Sequence, residues 1–505
     1  MKKKKLLRTF ASLALVGALF ASPFASATAS AYYVEDDGAE IYAKEEIDSK
    51  NLAQMDAAIK DGGTKKTVII QTNDVHGAVD KYAYVKALKD HVEGIENVSD
   101  VILVDCGDFS YAKEDSERDQ YKDVNNYKGF APMVMMNAVG YDYATVGNHE
   151  FEFNEKTYKD GEHKGEPVDE KYRMESLLGC ANFDITSANL FKGDSLKYKP
   201  YIVYDNSNIA SEEDKLKIGF FGLTAYETMN QGKKLDGYTV KSKEDMYKCA
   251  AEQCTKLKND EHTDLIICLS HLGVKLKSNR NQYLKGNRCI DLYNNITSVD
   301  TKKYNFDSNP IDFILDGHSH NSFTTADDGV PAMQAGIFLP YVGITIINNH
   351  DKSIENHFLV PSDSIEPDQQ VAALGKAILQ NEYTLDELVE YANLQHELKK
   401  PFVDIEKKSD DEDTDADDKE EETTETEDTE VLDETPATGD ETVTEEPEVT
   451  DDTEAVTEES EVTDNSESDK DNDSDKDHKH HSRHGSHHNN SRYNNNRWGS
   501  SRHHH

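Results

Sequence analysis

An α/β fold is predicted for the central part of this 505-residue chain, on three observations. From Thr67 onward, short runs rich in β-branched residues alternate with helical patterns, as in sheets covered by helices. The last two such runs, residues 341–347 and 356–360, follow one another with no helix between them, so part of the sheet is expected to be antiparallel. Near residue 406 the apolar periodicity stops, and almost no large apolar side chain appears again until Tyr493 and Trp498.

The remaining strands are expected at residues 67–71, 101–105, 143–146, 185–188, 216–222, 264–269 and 312–315. Helices are expected at residues 82–92, where Val85, Leu88 and Val92 share a face, at 130–139, and near 246–257. Residues 368–397 read as one or two amphipathic helices with Val371, Leu374 and Ile378 on one face. The α/β domain is therefore placed at residues 65–362, a helical segment at 363–405, and a polar, acidic extension in front at 32–64. Residues 406–476 are Asp, Glu, Thr and Ser with little else. Such a segment cannot bury enough apolar area to offset its chain entropy, so a disordered C-terminal tail is expected. Residues 477–505 turn to His, Asn, Arg and Ser and hold nine of the 20 histidines.

The formal net charge of -44 comes largely from that tail and argues against nucleic acid as a partner. Residues 1–31 read as an export signal. Lys2 to Lys5 and Arg8 are followed by an apolar stretch from Leu13 to Phe20 and the small-residue site Ala29-Ser30-Ala31. The alternative, an N-terminal membrane anchor, is disfavoured because the apolar core is short for a bilayer and Pro23 interrupts it. No other segment approaches the length of a spanning helix, so a secreted or cell-surface protein is expected. Of the six cysteines, Cys106 and Cys268 fall inside expected strands and read as small buried hydrophobes. Cys180, Cys249, Cys254 and Cys289 leave a disulfide open, and no CxxC pair suggests a structural zinc.

Five polar clusters directly follow expected strands: Thr72-Asn73-Asp74-Val75-His76-Gly77, Asp105-Cys106-Gly107-Asp108, Gly147-Asn148-His149-Glu150-Phe151-Glu152, Ser270-His271-Leu272-Gly273 and Asp316-Gly317-His318-Ser319-His320. Singly, each would be a turn, a surface pair or a satisfied core histidine. Ligands of open α/β sheets gather at the carboxyl ends of the strands, so five clusters there converge on one place. Their Asp, Asn and His side chains suit divalent transition metals, and the nearby glycines permit close backbone approach.

In these motifs the chain resembles the calcineurin-like metallophosphoesterases, and more narrowly the catalytic domain of the 5'-nucleotidase and 2',3'-cyclic phosphodiesterase family. Residues 187–190, 218–224 and 334–336 support the match, which runs from about Thr67 to Val360. The resemblance implies a four-layer α/β/β/α sandwich and two divalent metal ions. One would be held by Asp74, His76 and His320, the other by Asn148, His271 and His318, with Asp108 bridging them. Histidine ligands favour zinc, manganese, iron or cobalt over magnesium alone. Two such ions would lower the pKa of a shared water and clamp the attacking and leaving oxygens of an in-line displacement at phosphorus. The resemblance further implies that His149 faces the substrate and either stabilises the transition state or protonates the leaving oxygen. The family orients this histidine with an Asp three residues later. This chain has Glu152 there, whose extra methylene must be placed differently.

The substrate expected is a small phosphate ester, 5'-nucleotides or 2',3'-cyclic nucleotides among them. Family members commonly stack the base on aromatics of a second domain, and nothing after Lys408 could fold into one. Partial contact is left to Phe109, Tyr111, Phe151 and Phe153, each of which also reads as packing. The His-rich end is expected either to capture metal or to stick to anionic wall polymer. A rival reading of a different class makes the domain a non-catalytic, metal-stabilised surface-binding module with the tail as its working part. The complete ligand set and His149 speak against it.

Overall fold

The computed structural model describes residues 47–111, 119–154, 169–208, 210–226, 237–274 and 286–405. The expected export signal, residues 32–46 and both tail segments lie outside the described residues. The first sheet contains β1 (Lys66–Thr72), β2 (Val98–Asp105), β3 (Tyr143–Thr145), β4 (Asp184–Thr186), β14 (Tyr341–Asn348) and β15 (Ser353–Pro361), in the order β15-β14-β1-β2-β3-β4. The second contains β7 (Tyr201–Asp205), β8 (Lys217–Leu223), β10 (Leu265–Ser270), β11 (Phe313–Leu315), β12 (Ser322–Phe323) and β13 (Ala332–Ala335), in the order β12-β13-β11-β10-β8-β7. A small third sheet joins β5 (Leu190–Lys192), β6 (Ser195–Leu196) and β9 (Tyr238–Val240), three short strands absent from the sequence reading.

In the first sheet β1 to β4 run parallel, while β14 and β15 are antiparallel to their neighbours, as the helix-free last strands predicted. In the second, β8, β10, β11 and β13 are parallel. Side chains alternate across each strand, which distributes one apolar run between two cores. Val68 and Ile70 of β1 join a core with helices, while Ile69 between them joins the core that the two sheets share. Likewise Ile266 and Cys268 of β10 pack outward, and Leu265, Ile267 and Leu269 pack inward.

Helices Leu52–Lys60, Tyr82–Glu93, Phe130–Val139, Gln369–Leu379 and Leu385–Leu398 cover the first sheet. Helices Lys243–Asn259 and Cys289–Asn295 cover the second. The result is the four-layer α/β/β/α sandwich. Both faces of each sheet are buried, which is why the strands read as near-continuous apolar runs.

Two boundaries differ from the sequence reading. Part of the expected polar extension is structural: Leu359 donates to the Asp48 carbonyl at 2.8 Å, and Asn51 caps a helix with Met55 and Ile59 fully buried. Those two side chains, four residues apart, are the apolar signal, and they are diluted by the polar residues around them. The segment at 363–405 forms two helices, capped by Asp368 and by the Thr384–Glu387 capping box. They belong to the same core: Val371, Ile378 and Leu388 are fully buried, and Gln395 Nε2 donates to the Val134 carbonyl at 3.1 Å. All six cysteines are free thiols, so the disulfide left open at the sequence level does not form.

Leu388→Ala should therefore cost about 2–5 kcal/mol in a urea titration. A chain ending at residue 405 should unfold at the same urea concentration as the full chain, and one ending at 365 should lose the cooperative transition. Equal midpoints for all three would show that the two helices contribute nothing to the core.

Candidate metal centre

The five polar clusters follow β1, β2, β3, β10 and β11 and meet at one end of the sandwich. The backbone there is unusual. Asp74, His76, Asp108, His318 and His320 all adopt positive φ, between 46° and 78°. Each such non-glycine residue costs about 1–2 kcal/mol, and strain of this kind persists where surrounding structure enforces it. Glycine is required beside them. A Cβ on Gly107 would lie 2.6 Å from the Gly147 nitrogen, and one on Gly147 would lie 2.2 Å from Asp108 Oδ1.

Hydrogen bonds aim the imidazoles inward. His76 Nδ1 lies 2.7 Å from the Tyr111 carbonyl and His271 Nδ1 lies 2.6 Å from the Cys106 carbonyl. A carbonyl only accepts, so both rings carry a proton on Nδ1, which leaves Nε2 to face the interior. His76 Nε2 is 3.2 Å from His320 Nε2, 3.9 Å from Asp74 Oδ1 and 4.0 Å from Asp108 Oδ2. His271 Nε2 is 2.9 Å from Asp108 Oδ2. Two groups result, Asp74, His76, Asp108 and His320 in one, and Asp108, His271 and His318 in the other, with the donor atoms of each within 4.8 Å of one another. Asp108 alone belongs to both. Asn148 is buried beside them, between Gly147 and His149.

The chemistry of these groups fits two divalent cations. Asp108 Oδ2 and His271 Nε2 are buried 2.9 Å apart, and besides each other neither has a hydrogen-bond partner among the described residues. Burial disfavours an imidazolium at His271, but Asp108 and Asp74 outweigh it and push the ring up to about 10. Burial raises the Asp74 carboxyl to about 7, against the pull of His271. Buried acceptors facing one another in this way need either protons or metal ions between them, and bound metal displaces the protons.

His149, expected to face the substrate, and Glu152, expected to orient that ring, lie at the edge of this cluster. His149 is partly exposed, with Nε2 4.0 Å from Asp108 Oδ2 and Nδ1 2.9 Å from Glu152 Oε1. Its ring stacks on Tyr111 at 5.3 Å and 7°, and meets His76 edge-on at 5.0 Å. Of the aromatics considered for substrate contact, Phe109, Phe151 and Phe153 are buried as packing, and Tyr111 alone is partly exposed at the cluster.

Sequence reasoning passed over the residues that hold these loops in place. The Glu150 carboxylate is fully buried and accepts from the backbone N–H of Asp108, Phe109, Ser110 and Gly147 at 2.7–3.3 Å. Burial and the neighbouring Asp108 raise its pKa. Asp316 does similar work between the second-sheet loops, accepting from Leu272 N at 3.0 Å and from Gln334 Nε2 at 2.8 Å. The only sequence signal for Glu150 was an acid inside a strand-end cluster, which does not say whether residue 150 or 152 points inward.

A two-sheet sandwich with a shared Asp between two Asp/His clusters defines a dinuclear metal centre. Residues 67–322 match the family model described as calcineurin-like phosphoesterase, and the chain belongs to that family. It is similar to the trifunctional nucleotide phosphoesterase protein YfkN of Bacillus subtilis (strain 168), 26% identical over 310 residues, covering 55% of this chain and 19% of that protein. It is also similar to a 5'-nucleotidase of Vibrio parahaemolyticus, 24% identical over 301 residues, covering 55% of this chain and 46% of the relative. The chain thus matches less than half the length of either relative. The crystal structure of calcineurin-like phosphoesterase YfkN from Bacillus subtilis aligns with a TM-score of 0.45 and 18% identity, over 65% of this chain and 99% of that one.

Glu150→Ala would strand four buried N–H groups and should destabilise the protein by about 3 kcal/mol or more. Glu150→Gln, which keeps an acceptor, should cost less. Chemical denaturation of both variants tests this, and equal stability of Glu150→Ala and wild type would remove the role.

Proposed function

We propose that this chain is an exported, metal-dependent phosphoric ester hydrolase acting on small phosphate esters, with 5'-nucleotides or 2',3'-cyclic nucleotides as the substrate class. The observation that carries this reading is the convergence of two Asp/His clusters on one carboxylate, Asp108, with the partly exposed His149 beside it. In this proposal Asp74, His76 and His320 hold one ion, Asn148, His271 and His318 hold the other, and Asp108 is shared. Two ions bound there would supply a nucleophile from water near neutral pH and offset charge developing at phosphorus. The nucleotide class is supported by the similar proteins, a nucleotide phosphoesterase and a 5'-nucleotidase, and export by the basic, apolar and small-residue pattern of residues 1–31. Among the described residues no helix is long and apolar enough to cross a membrane. N-terminal sequencing of protein recovered from culture medium checks the export reading.

The chain's own groups divide the remaining work. In this proposal the Glu152 carboxylate, with Oε1 2.9 Å from His149 Nδ1, supports the imidazolium form by its charge, leaving Nε2 to donate toward the leaving oxygen. Tyr111 stacks on the same imidazole and so helps fix the plane of the His149 ring. A Glu three residues on can therefore serve where the family has an Asp.

Hydrolysis of 5'-AMP and 2',3'-cyclic AMP in added manganese tests the proposal. Asp108→Asn should lose one or both ions and at least about 10³-fold in turnover. A purified variant that keeps two ions and near-normal turnover would overturn the shared-carboxylate assignment, and a wild type inert toward every ester would favour a non-catalytic module.

His149→Ala should keep its metal content while turnover falls by about 10²–10⁴. The loss should be smaller for esters with good leaving groups. An equal loss for good and poor leaving groups would replace proton donation by electrostatic stabilisation.

A further inference from the structure

Nothing in the clusters themselves says what holds the organic part of the ester. Among the described residues outside the clusters, Tyr111 and Phe338 bring partly exposed rings to the site. Tyr111 lies on His149, and Phe338 lies 5.9 Å from His76. Phe338 follows β13 in the second sheet, and its backbone is pinned at the site, with its N–H donating to the Asp74 carbonyl at 3.0 Å. Phe338 and Leu339 are consecutive non-glycine residues with φ of 62° and 54°. That backbone turns Leu339 into the core, where it is 1% exposed, and leaves Phe338 at the edge of the cluster. The buried Tyr121 stacks on the Phe338 ring at 6.0 Å, and its hydroxyl donates to Asp80 at 2.7 Å, so the ring is backed by a fixed platform.

A partly exposed aromatic held in strained backbone beside a reaction centre is placed for contact with whatever enters. His149 is the group positioned for the leaving oxygen, so the leaving group must pass beside the His149–His76 pair, the pair these rings flank. We propose that Phe338, together with Tyr111, forms an apolar wall for the leaving group, so that the site prefers phosphate esters whose leaving group carries a planar or apolar ring over small hydrophilic ones. This rests on the phosphoesterase reading above. It makes Phe338 a specificity-determining residue and gives the α/β domain its own means of gripping a ring.

The test uses the full chain with added manganese and reads binding as well as turnover. Phenylphosphonate and methylphosphonate, which carry no ester to hydrolyse, report the wall by calorimetry; phenyl phosphate and glycerol 2-phosphate report it by kcat/KM. Wild type should bind phenylphosphonate about tenfold tighter than methylphosphonate, and Phe338→Ala should erase that preference. The variant's kcat/KM should fall about tenfold on phenyl phosphate and stay within about twofold on glycerol 2-phosphate, with metal content unchanged. Phe338→Tyr, which keeps the ring, should restore the preference and also serves if the alanine variant folds poorly. Equal binding of the two phosphonates by wild type would overturn the wall even if esters are hydrolysed. A preference for phenylphosphonate lost in Phe338→Ala would uphold it even if no ester were turned over, and would place the failure in the hydrolase reading. An equal fall on both esters accompanied by lost metal would overturn it in favour of a role in holding His76.

Discussion

The carboxylate of Asp108 is the point at which the two halves of the site become one. It is the only residue common to both Asp/His groups, and its two oxygens do different work. Oδ1 accepts from the His149 backbone at 2.7 Å, which ties the β2 loop to the β3 loop, while Oδ2 faces His271 and His76. Moving that carboxylate by an ångström would disturb both groups and His149 together. The fold accordingly spends backbone strain at Asp108 and a buried acid, Glu150, on holding it.

The same constraint explains why the domain needs two sheets. Asp74, Asp108 and Asn148 follow strands of the first sheet, whereas His271, His318 and His320 follow strands of the second. Neither sheet has a complete group. The seam is closed by the His271 Nδ1 contact to the Cys106 carbonyl and by the His318 N–H donated to Asp74 at 2.9 and 3.1 Å. Behind it lies the shared apolar core of Ile69, Val104, Phe220, Leu269 and Leu315, which sets the distance between the sheets. Core packing and site geometry are thus one problem, since repacking the inter-sheet core would move half of the donors relative to the other half.

Electrostatics then selects what the site can hold. Asp74, Asp105, Asp108, Glu150 and Asp316 are all buried near one another, and burial raises the pKa of Asp74, Asp105 and Glu150. Asp108 is held low because His271, His149 and His76 outweigh its burial. A nest of buried carboxylates and imidazole nitrogens is costly unless cations or protons occupy it, so metal binding and folding of these loops should be coupled.

How far the sequence could be read depended on the range of the signal. The strand-end clusters were visible because each lies within a few residues and follows an apolar run, and the structure brings Asp74, His76, Asp108, His271, His318 and His320 together from them. The helix at Leu52–Lys60 was not visible, because two buried side chains among polar neighbours look like an extension until Met55 and Ile59 meet their core. Glu150 and Glu152 are both acids in one short 3-10 turn, and only the fold sends the first to four backbone N–H groups and the second to His149. Phe338 lies outside the five polar clusters in sequence, and β13 in the second sheet together with its N–H bond to the Asp74 carbonyl brings it beside His76.

By itself the sequence determined the α/β class, the order of the strands that carry the polar clusters, and the inventory of candidate metal-binding side chains, since these follow from local periodicity and from residue chemistry at strand ends. Only the tertiary structure decided which donors share a group, which acid clamps a loop and which lies beside His149, and which aromatic stands beside the site. Those outcomes depend on distances between segments far apart in the chain, such as His76 and His320, which are 244 residues apart, and such distances are set by how two sheets pack rather than by any neighbour along the chain.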